Sequence, residues 1–151
     1  MSLVQYSRGN SKFDNCPDQR ASNSFDAFEQ AVISDLSPKK GLAFICSPLQ
    51  SGVHYQNPEE YPGDATWRLK NYALPRQFLA FDFDGFSSPD VFPTLMEYLK
   101  RYRGFGYTTA SHTDSKPRAR AILLASRPVS RAEGIAVCQS IQSQISSEVG
   151  D

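Results

Sequence analysis

The chain has 151 residues, 40% of them hydrophobic and 21% charged, with a formal net charge of zero. That is the size and composition of one globular domain, or of a fragment of a larger one, and it excludes a disordered chain, a collagen-like repeat and a coiled coil. No apolar run approaches the ~18 residues of a membrane helix, the first residues lack the basic flank and apolar core of a signal peptide, and Cys16, Cys46 and Cys138 form no CxxC pair, so a cytoplasmic, reduced protein with no membrane partner is expected.

Residues 1–21 are rich in Ser, Asn, Asp and Gln and read as a loose polar arm. A single α+β domain is expected over 22–151. From Ser22 or Ser24 a helix fits, because Phe25, Phe28, Val32 and Leu36 recur on one helical face. The Ser37-Pro38-Lys39-Lys40-Gly41 run ends it. A short strand follows at Leu42–Cys46, then a turn-rich loop over 47–66. Cys46 and His54 are too isolated to suggest zinc. Phe78–Asp84 reads as a strand and Asp90–Tyr102 as a helix, with Pro93 confined to its first turn. Phe105–His112 and Arg118–Ser126 read as strands joined by a tight antiparallel connection at Thr113–Pro117. Ser130-Arg131-Ala132-Glu133 is a capping box. It opens a helix whose buried side holds Ile135, Cys138, Ile141 and Ile145. The expected fold class is α+β, an antiparallel or mixed sheet with helices on one face. The order β-α-β-β-α matches part of a ferredoxin-like unit.

The charge is unevenly spread. Residues 100–131 carry eight basic side chains (Lys100, Arg101, Arg103, Lys116, Arg118, Arg120, Arg127, Arg131) against Asp114 alone. Such a run suits an anionic ligand or nucleic acid, or is a solvated face.

The most informative segment is Phe81-Asp82-Phe83-Asp84-Gly85 at the end of an apolar strand. Strand alternation points Leu79, Phe81 and Phe83 into a core and Ala80, Asp82 and Asp84 the other way. Asp82 and Asp84 then lie about 7 Å apart along the strand. Two carboxylates that close repel, and a divalent cation relieves the repulsion. Mg²⁺ is usually held by one or two carboxylates plus substrate phosphates, so a Mg²⁺ or Mn²⁺ site for phosphoryl chemistry is expected here. The competing reading is a strand end where two aspartates meet solvent.

By the same alternation His112 shares a face with Gly106, Thr108 and Ala110, which leave room for a ligand. Arg118 and Arg120 share a face of the next strand. Histidine and arginine donors near a dication suit a triphosphate. Alternatively the arginines guard an exposed hairpin edge.

The FDFDG run (81–85), the helix after it, YTTASHT (107–113) and KPRARAILLASRPVS (116–130) together resemble the archaeo-eukaryotic primase superfamily. The likeness is greatest to the primase–polymerase domains of plasmid and phage replication proteins. It spans residues 78–131 and extends more weakly over 22–77. The resemblance implies an RNA-recognition-motif-like catalytic module that binds an NTP or dNTP with Mg²⁺ or Mn²⁺. On it, Asp82 and Asp84 match the metal-binding aspartates. Ser111 and His112 match the SxH motif that contacts the triphosphate, with His112 counted among the catalytic residues. Lys116, Arg118 and Arg120 fall where basic phosphate-binding residues follow that motif. Implied partners are a nucleoside triphosphate, single-stranded or primed DNA, and a C-terminal helicase or other replication domain. The superfamily's third acidic motif has no counterpart after Arg131, since Asp114 and Glu133 are the only acids nearby. The chain therefore reads as a fragment or a degenerate member.

Two other functions fit parts of the pattern. Haloacid-dehalogenase-type phosphatases also begin from an apolar strand ending in DxDG, the first aspartate acting as nucleophile. A non-catalytic DNA-binding module would rest on the basic run, with Tyr102, Phe105 and Tyr107 as stacking surfaces.

Overall fold

The computed structural model describes residues 3–10, 14, 16–35, 44–50 and 72–150. Leu36, the helix stop at 37–41, Leu42, Ala43, His54 and the part of the turn-rich loop from residue 51 onward lie outside them. The chain divides into two compact units, Met1–Arg76 and Gln77–Asp151, where one domain was expected over 22–151. Each is α+β, with a three-stranded antiparallel sheet.

The first unit corrects the reading of residues 1–21 as an arm. Strand β1 (Val4–Gly9) is the middle of a sheet ordered β2-β1-β3, paired antiparallel with β2 (Asp18–Ser22) and β3 (Phe44–Cys46). Val4 and Tyr6 are buried, and so is Ser7. A buried hydroxyl needs a partner. Ser7 Oγ donates to Gln19 Oε1 at 3.0 Å, and the same oxygen accepts the Leu49 backbone N–H at 3.0 Å. Helix α1 (Phe25–Asp35) follows, its Ser24 Oγ accepting the Ala27 N–H at 3.1 Å as an N-cap. Phe25, Phe28 and Val32 are buried as their spacing predicts, and the Phe28 ring packs on Tyr6 at 4.9 Å.

The second unit runs β4 (Arg76–Phe83), α2 (Val91–Leu99), β5 (Gly104–Thr108), β6 (Ala119–Val129) and α3 (Arg131–Val149). Its sheet order is β4-β6-β5. The last strand in sequence thus lies between the two joined by α2, an order compatible with a ferredoxin-like arrangement. Leu79 and Phe81 of β4 meet Ala121, Leu123 and Val129 of β6 in one core, closed by Leu99, Cys138 and Ile141 from the helix side. Leu95, Tyr98 and Ile145 form a second cluster between α2 and α3. Both helices therefore cover one face of this sheet. Ile135, expected on the buried side of α3, is 41% exposed. At 3.6 residues per turn it lies roughly a quarter turn from the line of Cys138, Ile141 and Ile145.

Gly104 is required by packing. A Cβ there would stand 2.4 Å from the Ile122 carbonyl oxygen and 2.7 Å from Leu123 Cδ2. Gly104→Ala is expected to lower unfolding stability by about 1–3 kcal/mol, the range for forcing an extra carbon into a packed site. A urea titration of the full chain checks this, and an unchanged midpoint would show that β5 yields without cost.

The capping box of α3 is complete. Ser130 Oγ accepts the Glu133 N–H at 3.2 Å and Glu133 accepts the Ser130 N–H at 3.0 Å. Hydrogen bonds from Arg127, then the Ser130 backbone N–H, hold the Glu133 carboxyl down at about 2. A depressed folded pKa adds stability that is present above the unfolded value near 4.3 and lost as pH falls toward 2. Glu133→Gln should therefore unfold more readily than the parent at pH 6, and the gap should close by pH 2. Paired denaturant titrations at the two pH values read this directly.

Candidate functional site

β4 delivers both aspartates to the end of the sheet because its apolar alternation leaves them off the core face. Asp82 and Asp84 are exposed while Phe81 is 2% exposed. Together with Thr109, Arg118 and Arg120 they line a cavity of about 190 Å³. Arg120 lies on β6, next to β4 in the sheet. Its Nε donates to Asp82 Oδ1 at 2.6 Å and its Nη2 to Asp82 Oδ2 at 3.0 Å. This fork-on-fork pairing is the strongest geometry available to the two groups. It holds the Arg120 guanidinium charged well above its ordinary value, against the opposing effect of burial.

On the far side of Arg120, Tyr107 of β5 stands directly opposite in the antiparallel register. Asp82, Arg120 and Tyr107 thus form a row across all three strands. Burial pushes the Tyr107 phenol up, while the neighbouring Arg120 opposes the shift. The hydroxyl itself is buried and has no hydrogen-bond partner of ordinary geometry among the described residues. Asp84 and the Arg118 guanidinium pair with no described residue. The cavity therefore holds one closed ion pair and, beside it, one open carboxylate and one open cation.

Ser111, His112 and Lys116 are placed differently. β5 ends at Thr108, four residues before the expected end, so His112 does not share a face with Gly106 and Thr108. The ladder stops for a visible reason. Thr109 N–H still donates to the Arg118 carbonyl at 3.1 Å, but the Thr109 carbonyl accepts from the His112 N–H at 3.0 Å. The Arg118 N–H donates instead to His112 Nδ1 at 3.1 Å. One step on, Pro117 has no N–H to offer. The turn closes at Thr113 and Lys116, which exchange both backbone hydrogen bonds at 3.2 and 3.1 Å. Ser111 and Lys116 are exposed on this connection. None of the three lines the charged cavity. His112 fixes the backbone that carries Arg118, and its ring packs on Phe92 of α2 at 5.6 Å.

A larger cavity, about 340 Å³, opens where β4 leaves the sheet beside α2 and α3. Asp82, Phe83 and Asp84 line both cavities. Gly85, with φ +70°, turns the chain there in the left-handed region that favours glycine.

No three of the described His, Cys, Asp and Glu residues come together as a protein-only metal site. The donor set fits a hard cation carried in by phosphate, since Mg²⁺ commonly takes only one or two carboxylates from the protein. Asp84 is open for that role, whereas Asp82 is engaged by Arg120. The basic run is also less available than its sequence suggests. Of its eight cations, Lys100 pairs with Glu97, Arg101 with Glu148, Arg120 with Asp82 and Arg127 with Glu133.

No protein-family model, curated protein or solved structure matches this chain. Among the described residues no helix is long and apolar enough to cross a membrane. Thr109 is a cavity residue that sequence reasoning missed, and no signal marked it. Tyr107, read from the sequence as a stacking surface, stands beside Arg120.

Proposed function

We propose that the charged cavity binds the triphosphate of an NTP or dNTP together with Mg²⁺ or Mn²⁺, as in a primase-type nucleotidyltransferase module. The observation that carries this reading is the convergence of Asp82, Asp84, Arg118 and Arg120 on one cavity at the end of β4. Carboxylates suit a dication and guanidinium forks suit phosphate oxygens, so a metal–triphosphate meets complementary charge at both ends. Arg118 is open to accept phosphate. Arg120 can reach it by exchanging the Asp82 carboxylate for a phosphate oxygen, which frees Asp82 to join Asp84. The bound dication would supply charge neutralisation as negative charge builds on the leaving pyrophosphate. His112 holds the Arg118 backbone through Nδ1, leaving Nε2 as its remaining polar atom.

The phosphatase alternative is less favoured. It would need the same release of Asp82 from Arg120, and two guanidinium groups on one cavity suit a triphosphate better than the single phosphate of a monoester. The DNA-binding module is weakened by the four paired cations of the basic run.

Calorimetric titration with a non-hydrolysable nucleoside triphosphate tests the proposal. Binding is expected with Mn²⁺, lost with chelator, and at least about tenfold weaker in Asp84→Ala and Arg118→Ala, a loss of ~1.4 kcal/mol or more. Both positions are exposed, so circular dichroism should show both variants folded. Binding that ignores chelator, or that survives both substitutions, would overturn the reading.

A further inference from the structure

We infer that the larger cavity between the end of β4 and helices α2 and α3 receives the nucleoside part of the nucleotide, with Gln142 and Ser146 meeting the edge of the base. The inference rests on the charged cavity being the triphosphate site.

The two cavities are continuous at Asp82, Phe83 and Asp84, which line both. A ligand with its phosphates against Arg118 and Arg120 therefore has an adjoining space for the rest of its body. That space is about 340 Å³, within the range of small-molecule sites. Its chemistry differs from that of the charged cavity. Phe86, Val91, Leu95 and Ile145 supply apolar walls, which suit the faces of a planar ring and give a free phosphate nothing. Gln142 and Ser146 supply the polar edge. They lie four residues apart on α3 and so sit one above the other on one helix face. Neither side chain hydrogen-bonds to a described residue. A glutamine amide presents both donor and acceptor, and a serine hydroxyl can act as either. This is the mixture that reading a base edge requires.

The cavity wall is held from the triphosphate side. Phe86 packs edge-on against Phe92 at 5.8 Å, and Phe92 packs against His112 at 5.6 Å. His112 in turn accepts the Arg118 N–H. One connected set of contacts thus links the arginine of the charged cavity to the aromatic wall of the larger one.

The test compares a non-hydrolysable nucleoside triphosphate with inorganic tripolyphosphate, each titrated with Mn²⁺ into the full chain. The nucleotide is expected to bind at least about tenfold tighter. Ser146→Trp, which fills the cavity from an exposed position, should reduce nucleotide affinity to that of tripolyphosphate and leave tripolyphosphate unchanged. Gln142→Ala, a smaller change, should alter the ranking among the four bases. Equal affinity for both ligands in the parent, or a nucleotide affinity indifferent to both substitutions, overturns the assignment and leaves the triphosphate site standing. Failure of the parent to bind either ligand overturns the triphosphate site, and this inference with it.

Discussion

Phe81→Ala is expected to lower the unfolding free energy of the chain by about 3–5 kcal/mol, the range for emptying a well-packed aromatic site. Phe81 is 2% exposed and meets Leu79, Ala121 and Leu123 in the core shared by β4 and β6. Its ring also stacks on Phe83 at 6.0 Å, with the planes 6° apart. The loss comprises the transfer energy of the ring and a cavity that neighbours on two strands and two helices cannot all move to fill. Total stabilities of small domains are about 5–15 kcal/mol, so the variant should forfeit a large fraction of the stability of its unit. Urea unfolding followed by circular dichroism measures the change. A shift below ~1 kcal/mol would mean that β4 is not the centre of its unit's core. Because Asp82 and Asp84 flank the next core position on the same strand, this substitution should also weaken ligand binding through loss of folded protein, and native-fraction correction should remove that effect.

Arg120→Met should separate the two halves of the charged cavity. Methionine keeps much of the aliphatic stem that Arg120 lays across the sheet and deletes the fork that grips Asp82. A charge-assisted hydrogen bond is worth about 1.5–3 kcal/mol, so nucleotide affinity should fall about 10- to 100-fold. Mn²⁺ alone should bind more tightly, because Asp82 and Asp84 then face the cation with no guanidinium competing for one of them. Calorimetry with Mn²⁺, and separately with the nucleotide in excess Mn²⁺, gives both quantities. A variant that binds the nucleotide as the parent does would assign Arg120 to holding Asp82 and to nothing else.

Much of the second unit was legible because its apolar residues mark their elements without ambiguity. Leu79, Phe81 and Phe83 alternate with Ala80 and Asp82, Leu95 and Tyr98 fall on one helical face, and Ser130 with Glu133 spells out a cap. The first strand was not legible. Val4 and Tyr6 are its only apolar residues in the buried set, and Ser7 is buried by means of Gln19, a partner twelve residues away. Its neighbour β2 is polar except for Ala21, as an exposed edge can be. Hydrophobic patterning does not register a strand whose burial depends on a hydrogen bond. The end of β5 was misplaced for a similar reason. Residues 105–112 keep a strand-like composition, yet His112 takes the hydrogen bonds that would have continued the ladder. The carboxylates were found from spacing alone. That Arg120 would clamp Asp82 depends on β6 lying beside β4, which strand alternation does not specify.

The position of β6 between β4 and β5 also sets when the charged cavity can come into being. Asp82 and Arg120 are 38 residues apart in sequence, and contacts of long separation form late because the intervening loop must first be closed. A nascent chain that has reached residue 117 possesses both aspartates and neither arginine of the cavity. During refolding, α2 can form early from its own local contacts, while the site waits for the central strand to slot into place. Helical signal should therefore recover ahead of ligand affinity, and the interval between the two is a clock for the insertion of β6.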